Sequence, residues 1–496
     1  MGCRQESPAV RSLHERFAGD GLEVVYVGAL ETEDACRAWK EEYRLEFPVI
    51  ADADGVLFRA FTNGWVPWSV LIGPDGKVIF SENEFDEAGF SAAIRRMFQQ
   101  PVIAKPARHR AGASAGCTVI LGGGTGGLVA ARELQRRVPH GHRVVLVDRC
   151  AEHTYQPSLL WQMVGERRQE QFRRPLNSLE RKGIEFHQAE VEELDLDNKV
   201  VRTARGDLAY DSLLVSLGAQ LAPETVPGFE QMAYNLYTPD GCARIHAALE
   251  DLEAGTIGIL ITAMPFKCPA APYEAAFLAE AFVRRKRIRR NVEIHLFTPE
   301  HAPMPVAPPA IGDSIADMLA ARGISYHPLF TFKELRPDTR EVVASDGRSQ
   351  KVDLLIGIPP HQAPDVVRSS ALLGVSGFIH ANPRTLQTDH EGVFAIGDVA
   401  TLRLPNDKAL PKAGVFAHAE AKVAAQRIAD KVGGKTSRAV FDGKGYCWLE
   451  LGDGKAGFAA GDFYAEPNPQ LKMRPPGRPL HWGKVAFEKW WLHHWL

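Results

Sequence analysis

The stretch "CTVILGGGTGGLVAARELQRR", which starts at Cys117, constrains the chain more than any other. An apolar run, Thr118–Leu121, enters a six-residue turn with five glycines and leaves as a helical pattern. Gly122, Gly124 and Gly127 fit the spacing G-x-G-x-x-G. The first glycine allows a tight turn, the second lets backbone approach a pyrophosphate, and the third lets helix and strand pack closely. The helix N-terminus then faces the phosphate charge. Alone the pattern is weak. Here the next apolar run, "HRVVLVD", ends at Asp148. That is about 20 residues on, where an acid can bond ribose hydroxyls. A dinucleotide-binding βαβ unit is the reading, and the fold class is α/β.

A second strand-to-helix turn lacks glycine. "TIGILIT" leads through "AMPFKCPAAPYE" into the helical "YEAAFLAEAF". Bulky side chains would obstruct a pyrophosphate there, and prolines remove N–H donors. In their place stands Cys268, beside Lys267 and just ahead of a helix start. The helix macrodipole and the neighbouring lysine favour a thiolate at such a position, so Cys268 is a candidate redox group.

The whole composition excludes several classes. The chain has 496 residues, enough for about two to four domains. Net charge is −3, which gives no reason to expect a nucleic-acid partner. No apolar run approaches the roughly 20 residues that span a bilayer. The start, "MGCRQESPAVRSL", has no basic region followed by an apolar core, so no signal peptide is expected. Seven cysteines lie at 3, 36, 117, 150, 242, 268 and 447, without a C-x-x-C pair. Neither a disulfide scaffold nor a metal is expected, and Cys150 and Cys242 are read as structural.

"FQQPVIAKPARHRAGASAG" (Phe98–Gly116) reads as a linker. Before it, about 100 residues alternate strand and helix. That block resembles the thioredoxin fold, in its redoxin and thiol-disulfide oxidoreductase branch. "FPVIADADGVLFRAF", Val66-Pro67 and the helical "CRQESPAVRSLHERF" carry the resemblance. Val66-Pro67 stands where that family keeps a cis-proline, and Cys3 where it keeps the second cysteine of C-x-x-C. With only Cys3, a self-contained dithiol cycle is not expected.

After the linker, "LAYDSLLVSLGA" (Leu208–Ala219) and "TDHEGVFAIGDVA" (Thr388–Ala400) resemble the closing strand and second flavin motif of two-dinucleotide flavoproteins. The resemblance implies FAD, with Gly397 and Asp398 at the cofactor. Residues 117–496 as a whole resemble the sulfide:quinone oxidoreductases and the flavoprotein subunit of flavocytochrome c sulfide dehydrogenase. The cysteine turn, "LPKAGVFAHAEAKVAAQRIA", "GYCWLELGDGKAGF" and the tail stand in family order.

That resemblance implies a redox pair of Cys268 and Cys447, and Lys412 beside the flavin pyrimidine. Tyr155 and Pro157 would line the flavin. Hydrosulfide would open the disulfide, sulfane sulfur would leave to a second sulfide or thiol, and electrons would pass through FAD to a quinone. The alternatives are a type II NADH:quinone oxidoreductase, which the missing second glycine turn disfavours, and a non-catalytic redox-binding protein.

The expected organisation is a thioredoxin-like domain at 1–100 and a linker at 101–116. A FAD domain at 117–234 and 350–430 follows, with a second Rossmann-like domain at 235–349 inserted in it. A C-terminal domain at 431–496 carries the tail "HWGKVAFEKWWLHHWL". The tail is too short and charged to span, but its tryptophans suit a membrane interface. Phe487, Trp490 and Trp491 are expected at a quinone entrance, Phe416 at its inner end, and Lys484, Lys489, His493 and His494 toward headgroups. Peripheral attachment to the inner face of a bacterial cytoplasmic membrane, and possible homo-oligomers, complete the expectation.

Overall fold

The computed structural model describes residues 116–496 without interruption. Of the first 115 it describes 2–17, 22, 24–55, 58, 69–72, 78–82, 87, 89–91 and 94. The chain divides into two compact units, Met1–Ala113 and Ser114–Leu496.

In the first unit, helix Gly2–Phe17 precedes strand Tyr26–Ala29, helix Glu33–Glu42 and strand Val49–Asp52. The two strands pair in parallel. Thr32 caps the second helix by accepting from the Ala35 N–H at 3.3 Å. A hairpin of Ser69–Ile72 and Val78–Glu82 follows. Leu13, Phe17, Leu71, Phe90 and Ile94 form a core. Val66-Pro67, most of the linker and the Cys3 side chain lie outside the described residues.

The second unit has two five-stranded parallel sheets of the same design. In the first, the strand order is Val393–Ala395, Ser212–Val215, Cys117–Leu121, Arg143–Asp148 and Glu185–Gln188. Cys117–Leu121 is buried along its whole length, as its uninterrupted apolar pattern requires. It is central, and chain order reverses on its two sides. Such a switch point opens a crevice at the carboxyl ends of the strands, where the glycine turn sits. Helices Thr125–Gln135 and Gly414–Val432 pack on each other.

The second sheet runs Ala233–Asn235, Leu354–Ile358, Gly255–Ile261, Val292–Phe297 and Ile324–His327. The inserted lobe is therefore wider than the expected 235–349. Its sheet takes in Ala233–Asn235 and Leu354–Ile358, which reading along the chain assigned wholly or largely to the FAD domain. The buried run of Leu354–Ile358 suits either sheet by its pattern, and only its partner strands decide. The two crossings between lobes pair with each other, Gln220–Leu221 against His361–Gln362.

Three antiparallel strands, Lys444–Glu450, Ala456–Asp462 and Gln470–Gly477, lead to a final helix, Arg478–Trp495. No helix among the described residues is long and apolar enough to cross a membrane. The final helix docks on its own unit. Lys484, Glu488, Trp491, Leu492 and Trp495 are buried, while Trp482 is 65% and Trp490 47% exposed. The expectation that Lys484 faces headgroups is thus wrong. Lys484 is only 7% exposed because it pairs with Glu274, whose carboxylate lies 2.8 Å from its ammonium.

Candidate functional site

The three spaced glycines occupy three different environments. Gly122 has φ +97°, and a Cβ there would meet the Ser216 carbonyl. A Cβ at Gly127 would run into the Gly122 carbonyl oxygen. At Gly124 a Cβ would meet nothing within 4 Å. Two glycines are therefore required by the fold itself, and the third leaves open room at the helix N-terminus, the space a pyrophosphate fits. Asp148 closes the turn. Its Oδ2 accepts the Gly123 N–H at 2.6 Å and its Oδ1 the Cys150 N–H at 2.7 Å. Each oxygen keeps a lone pair for a ribose hydroxyl. Cys150, read as structural, is exposed rather than buried.

Gly397 and Asp398 form a short turn after strand Val393–Ala395. The Gly397 N–H donates to Glu420 at 2.7 Å. Lys412 donates to the carbonyl oxygens of Asp398, at 2.7 Å, and Ala400, at 3.1 Å. Its ammonium also lies 3.6 Å from the centre of the Phe378 ring. Burial pulls the Lys412 pKa down to about 8, against the opposing charges of Asp398 and Glu420.

Strand Gly255–Ile261 ends in the cysteine turn, and helix Ala271–Arg285 follows it. Cys268 takes the left-handed φ of +50°, a costly conformation for a non-glycine residue. Its N–H donates to the Lys412 carbonyl at 2.6 Å, and its own carbonyl accepts the Ala271 N–H at 2.9 Å. The turn is thereby tied to the segment that carries Lys412. Cys447 comes from the middle of strand Lys444–Glu450. Both thiols are free, and both line one cavity of about 720 Å³.

Tyr155, Pro157, Lys412, Phe416, Phe487 and Trp491 line that cavity too. So does Thr125, the residue after Gly124. Trp490 is not among the lining residues; it lies on the exposed side of the helix. Trp491 is held instead by rings beneath it, stacked on His153 at 5.0 Å and tilted on Tyr155 at 5.2 Å.

The expected thiolate at Cys268 is not favoured. Burial pushes its pKa up to about 12, and the Glu274 carboxylate adds to the rise. Cys447 is raised as well, first by burial and then by Cys268. The apolar walls outweigh the helix start. Lys267 beside it is buried too, which lowers its own pKa, and its ammonium sits over the Tyr237 ring at 5.3 Å.

Reading the sequence missed a buried polar cluster behind the cysteines. Glu274 accepts from Lys484 at 2.8 Å and from the Glu450 N–H at 2.9 Å. Glu450 in turn pairs with His481 at 3.0 Å. Glu274 and Lys484 stand 210 residues apart, so no local pattern could have joined them. Sequence reading also missed where the acid after strand Val292–Phe297 is used. Glu300 accepts from Tyr273 Oη at 2.6 Å and Thr298 Oγ1 at 3.0 Å. That acid is engaged within the protein, which agrees with the missing second glycine turn.

Residues 117–425 match the family model described as pyridine nucleotide-disulphide oxidoreductase, and residues 1–81 match the AhpC/TSA family. The mouse mitochondrial sulfide:quinone oxidoreductase is 29% identical over 300 residues, 57% of this chain. The match spans just under two thirds, 65%, of that protein's own length. The sulfide-quinone reductase of Aquifex aeolicus is 25% identical over 75% of this chain and 90% of its own. The crystal structure of the sulfide:quinone oxidoreductase from Aquifex aeolicus superposes with a TM-score of 0.69 at 22% identity. It covers 77% of this chain and 91% of that one. The fold is thus that of a two-dinucleotide flavoprotein, joined to an N-terminal thioredoxin-like segment. The chain belongs to the pyridine nucleotide-disulphide oxidoreductase family, as a FAD-binding member homologous to the sulfide:quinone oxidoreductases.

Proposed function

We propose that this chain oxidises sulfide to sulfane sulfur and delivers the electrons, through FAD, to a quinone. One observation carries the reading. Two cysteines, one from the inserted lobe and one from the C-terminal strands, line a single cavity that reaches the flavin-binding turn. The names of the homologues, sulfide:quinone oxidoreductases, agree with it.

Hydrosulfide attacks one sulfur of a Cys268–Cys447 disulfide. The S–S bond breaks, one cysteine becomes a persulfide, and the other leaves as a thiolate. A second hydrosulfide or a thiol takes the outer sulfur from the persulfide, and both cysteines are left reduced. FAD, held at Gly122, Gly124, Gly127, Asp148, Gly397 and Asp398, would supply the two-electron acceptor through which the dithiol's electron pair reaches a quinone as the disulfide re-forms. Lys412 supplies positive charge near the flavin motif formed by Gly397 and Asp398. Tyr155 and Pro157 wall the cavity, Phe416 closes its inner end, and Phe487 and Trp491 bound the quinone's approach. The tail attaches peripherally to the inner face of the membrane, through the exposed side of its helix.

The test is anaerobic titration of the flavin-loaded protein with sulfide, followed by absorbance. Sulfide should bleach the flavin, NADH should not, and Cys268→Ser or Cys447→Ser should abolish the sulfide response while FAD stays bound. Rapid bleaching by NADH, or wild-type bleaching in Cys447→Ser, refutes the proposal.

A further inference from the structure

A second cavity, of about 1090 Å³, lies along the final helix and away from the cysteines. Arg132, Arg136, Arg174, Lys182 and Lys489 line it. Two acids, Glu166 and Glu488, line it as well, and both are engaged. Glu488 accepts from Arg167 at 2.9 Å and from Ser158, and Glu166 pairs with Arg285 at 3.1 Å. The five cations are left with little negative charge to balance them. Lys182 donates to a main-chain oxygen of Leu496 at 2.8 Å. Arg174 donates only to backbone carbonyls. Arg136 has one glancing acid, Glu133 at 3.4 Å, and lies over the Trp495 ring at 5.9 Å. Arg132 Nε is buried without a hydrogen-bond partner.

The cations feel one another. The Lys182 pKa is lowered by burial and by Arg132 and Arg136, and His494 is lowered by burial, Arg136 and Arg132. Like charges gathered in a concave site at this cost fit an anion. The rim identifies the kind of anion. Trp482 stands at the edge and is 65% exposed, Trp490 on the same helix is 47% exposed, and Val485 and Leu492 add apolar wall. Basic residues beside exposed tryptophan match the headgroup layer of a bilayer.

We propose that this groove binds the phosphodiester of an anionic phospholipid headgroup. The inference rests on the proposed membrane attachment and adds a charge selectivity to it. Arg132, Arg136, Lys182 and Lys489 hold the phosphate, while Trp482 and Trp490 enter the interface. Neutralising one cation weakens binding to anionic membrane about fivefold, and three together about a hundredfold.

The test is co-sedimentation of the flavin-loaded full chain with two kinds of vesicle, phosphatidylcholine alone and phosphatidylcholine mixed with phosphatidylglycerol. Wild-type protein should prefer the mixed vesicles, and rising salt should erase the preference. The triple variant Arg136→Gln, Lys182→Gln, Lys489→Gln should lose the preference and keep its response to sulfide. Arg132→Gln alone serves as a check with a smaller expected loss. Equal binding to both vesicles, or an undiminished preference in the triple variant, overturns the headgroup site and leaves membrane attachment standing. No binding to either vesicle refutes attachment and the inference with it. Release from mixed vesicles by inorganic phosphate, at matched ionic strength, would reassign the groove to a soluble phosphate and overturn the lipid.

Discussion

Lys484 of the final helix reaches Glu274 at the start of the helix after the cysteine turn, ammonium to carboxylate, at 2.8 Å. Both side chains are buried, and both line the cavity that holds Cys268 and Cys447. The pair fastens the last helix to the inserted lobe. It also places the one buried lysine of that helix where it lowers the pKa of both thiols, against burial that raises them.

Lys484→Met should therefore leave Glu274 buried without its cation, while Glu450 keeps His481. Breaking a buried pair from one side costs about 3–5 kcal/mol. Urea unfolding of the flavin-loaded variant should show a loss of this size, and Glu274→Gln with Lys484→Met should recover part of it. An unchanged midpoint in Lys484→Met would mean that the Lys484–Glu274 pair contributes nothing to holding the helix.

Gly124→Val should produce a folded protein without flavin. The position has φ −70° and no heavy atom within 4 Å of a Cβ, so the chain tolerates the side chain and the pyrophosphate does not. Gly127→Ala should instead fail to fold, since its Cβ would strike the Gly122 carbonyl. Circular dichroism and flavin absorbance separate the two outcomes. A yellow Gly124→Val protein would show that the cofactor lies elsewhere.

Lys412 has a pH signature. Burial lowers its pKa from 10.5 to about 8. A cation with a depressed folded value favours the neutral form, so in flavin-free protein stability should rise with pH between about 8 and about 10.5. In the flavin-loaded protein, loss of that positive charge through pH 8 should make the cofactor harder to reduce. Spectroelectrochemical titration should find an extra fall in midpoint potential around pH 8, absent in Lys412→Arg. Identical profiles for the two proteins would rule out a place for Lys412 beside the flavin.

Two adjacent tryptophans should behave oppositely. Trp491 is 1% exposed and packs on His153 and Tyr155. Trp491→Ala should cost about 3–5 kcal/mol. Trp490 is 47% exposed, and Trp490→Ala should change stability by no more than about 0.5 kcal/mol. Thermal unfolding of both variants decides the matter, and similar losses in both would contradict the docked face.

The sequence by itself determined what depends on neighbours along the chain. The glycine turn and Asp148 declared a dinucleotide unit, because a tight turn, close backbone approach and helix–strand packing each demand a glycine at a set spacing. The missing glycines of the second turn were equally legible, and Cys268 stood out in their place.

Tertiary structure decided everything that depends on partners far along the chain. Leu354–Ile358 joined the second sheet because strand membership is set by hydrogen-bonded neighbours, and its apolar pattern fits either sheet. The Cys268 thiol is raised rather than lowered because apolar walls from other segments outweigh a helix start three residues away. Lys484, charged and near the start of a tryptophan-rich tail, looked like a surface residue. It is buried because Glu274 and Glu450, brought to it by folding, supply the charge that makes burial tolerable.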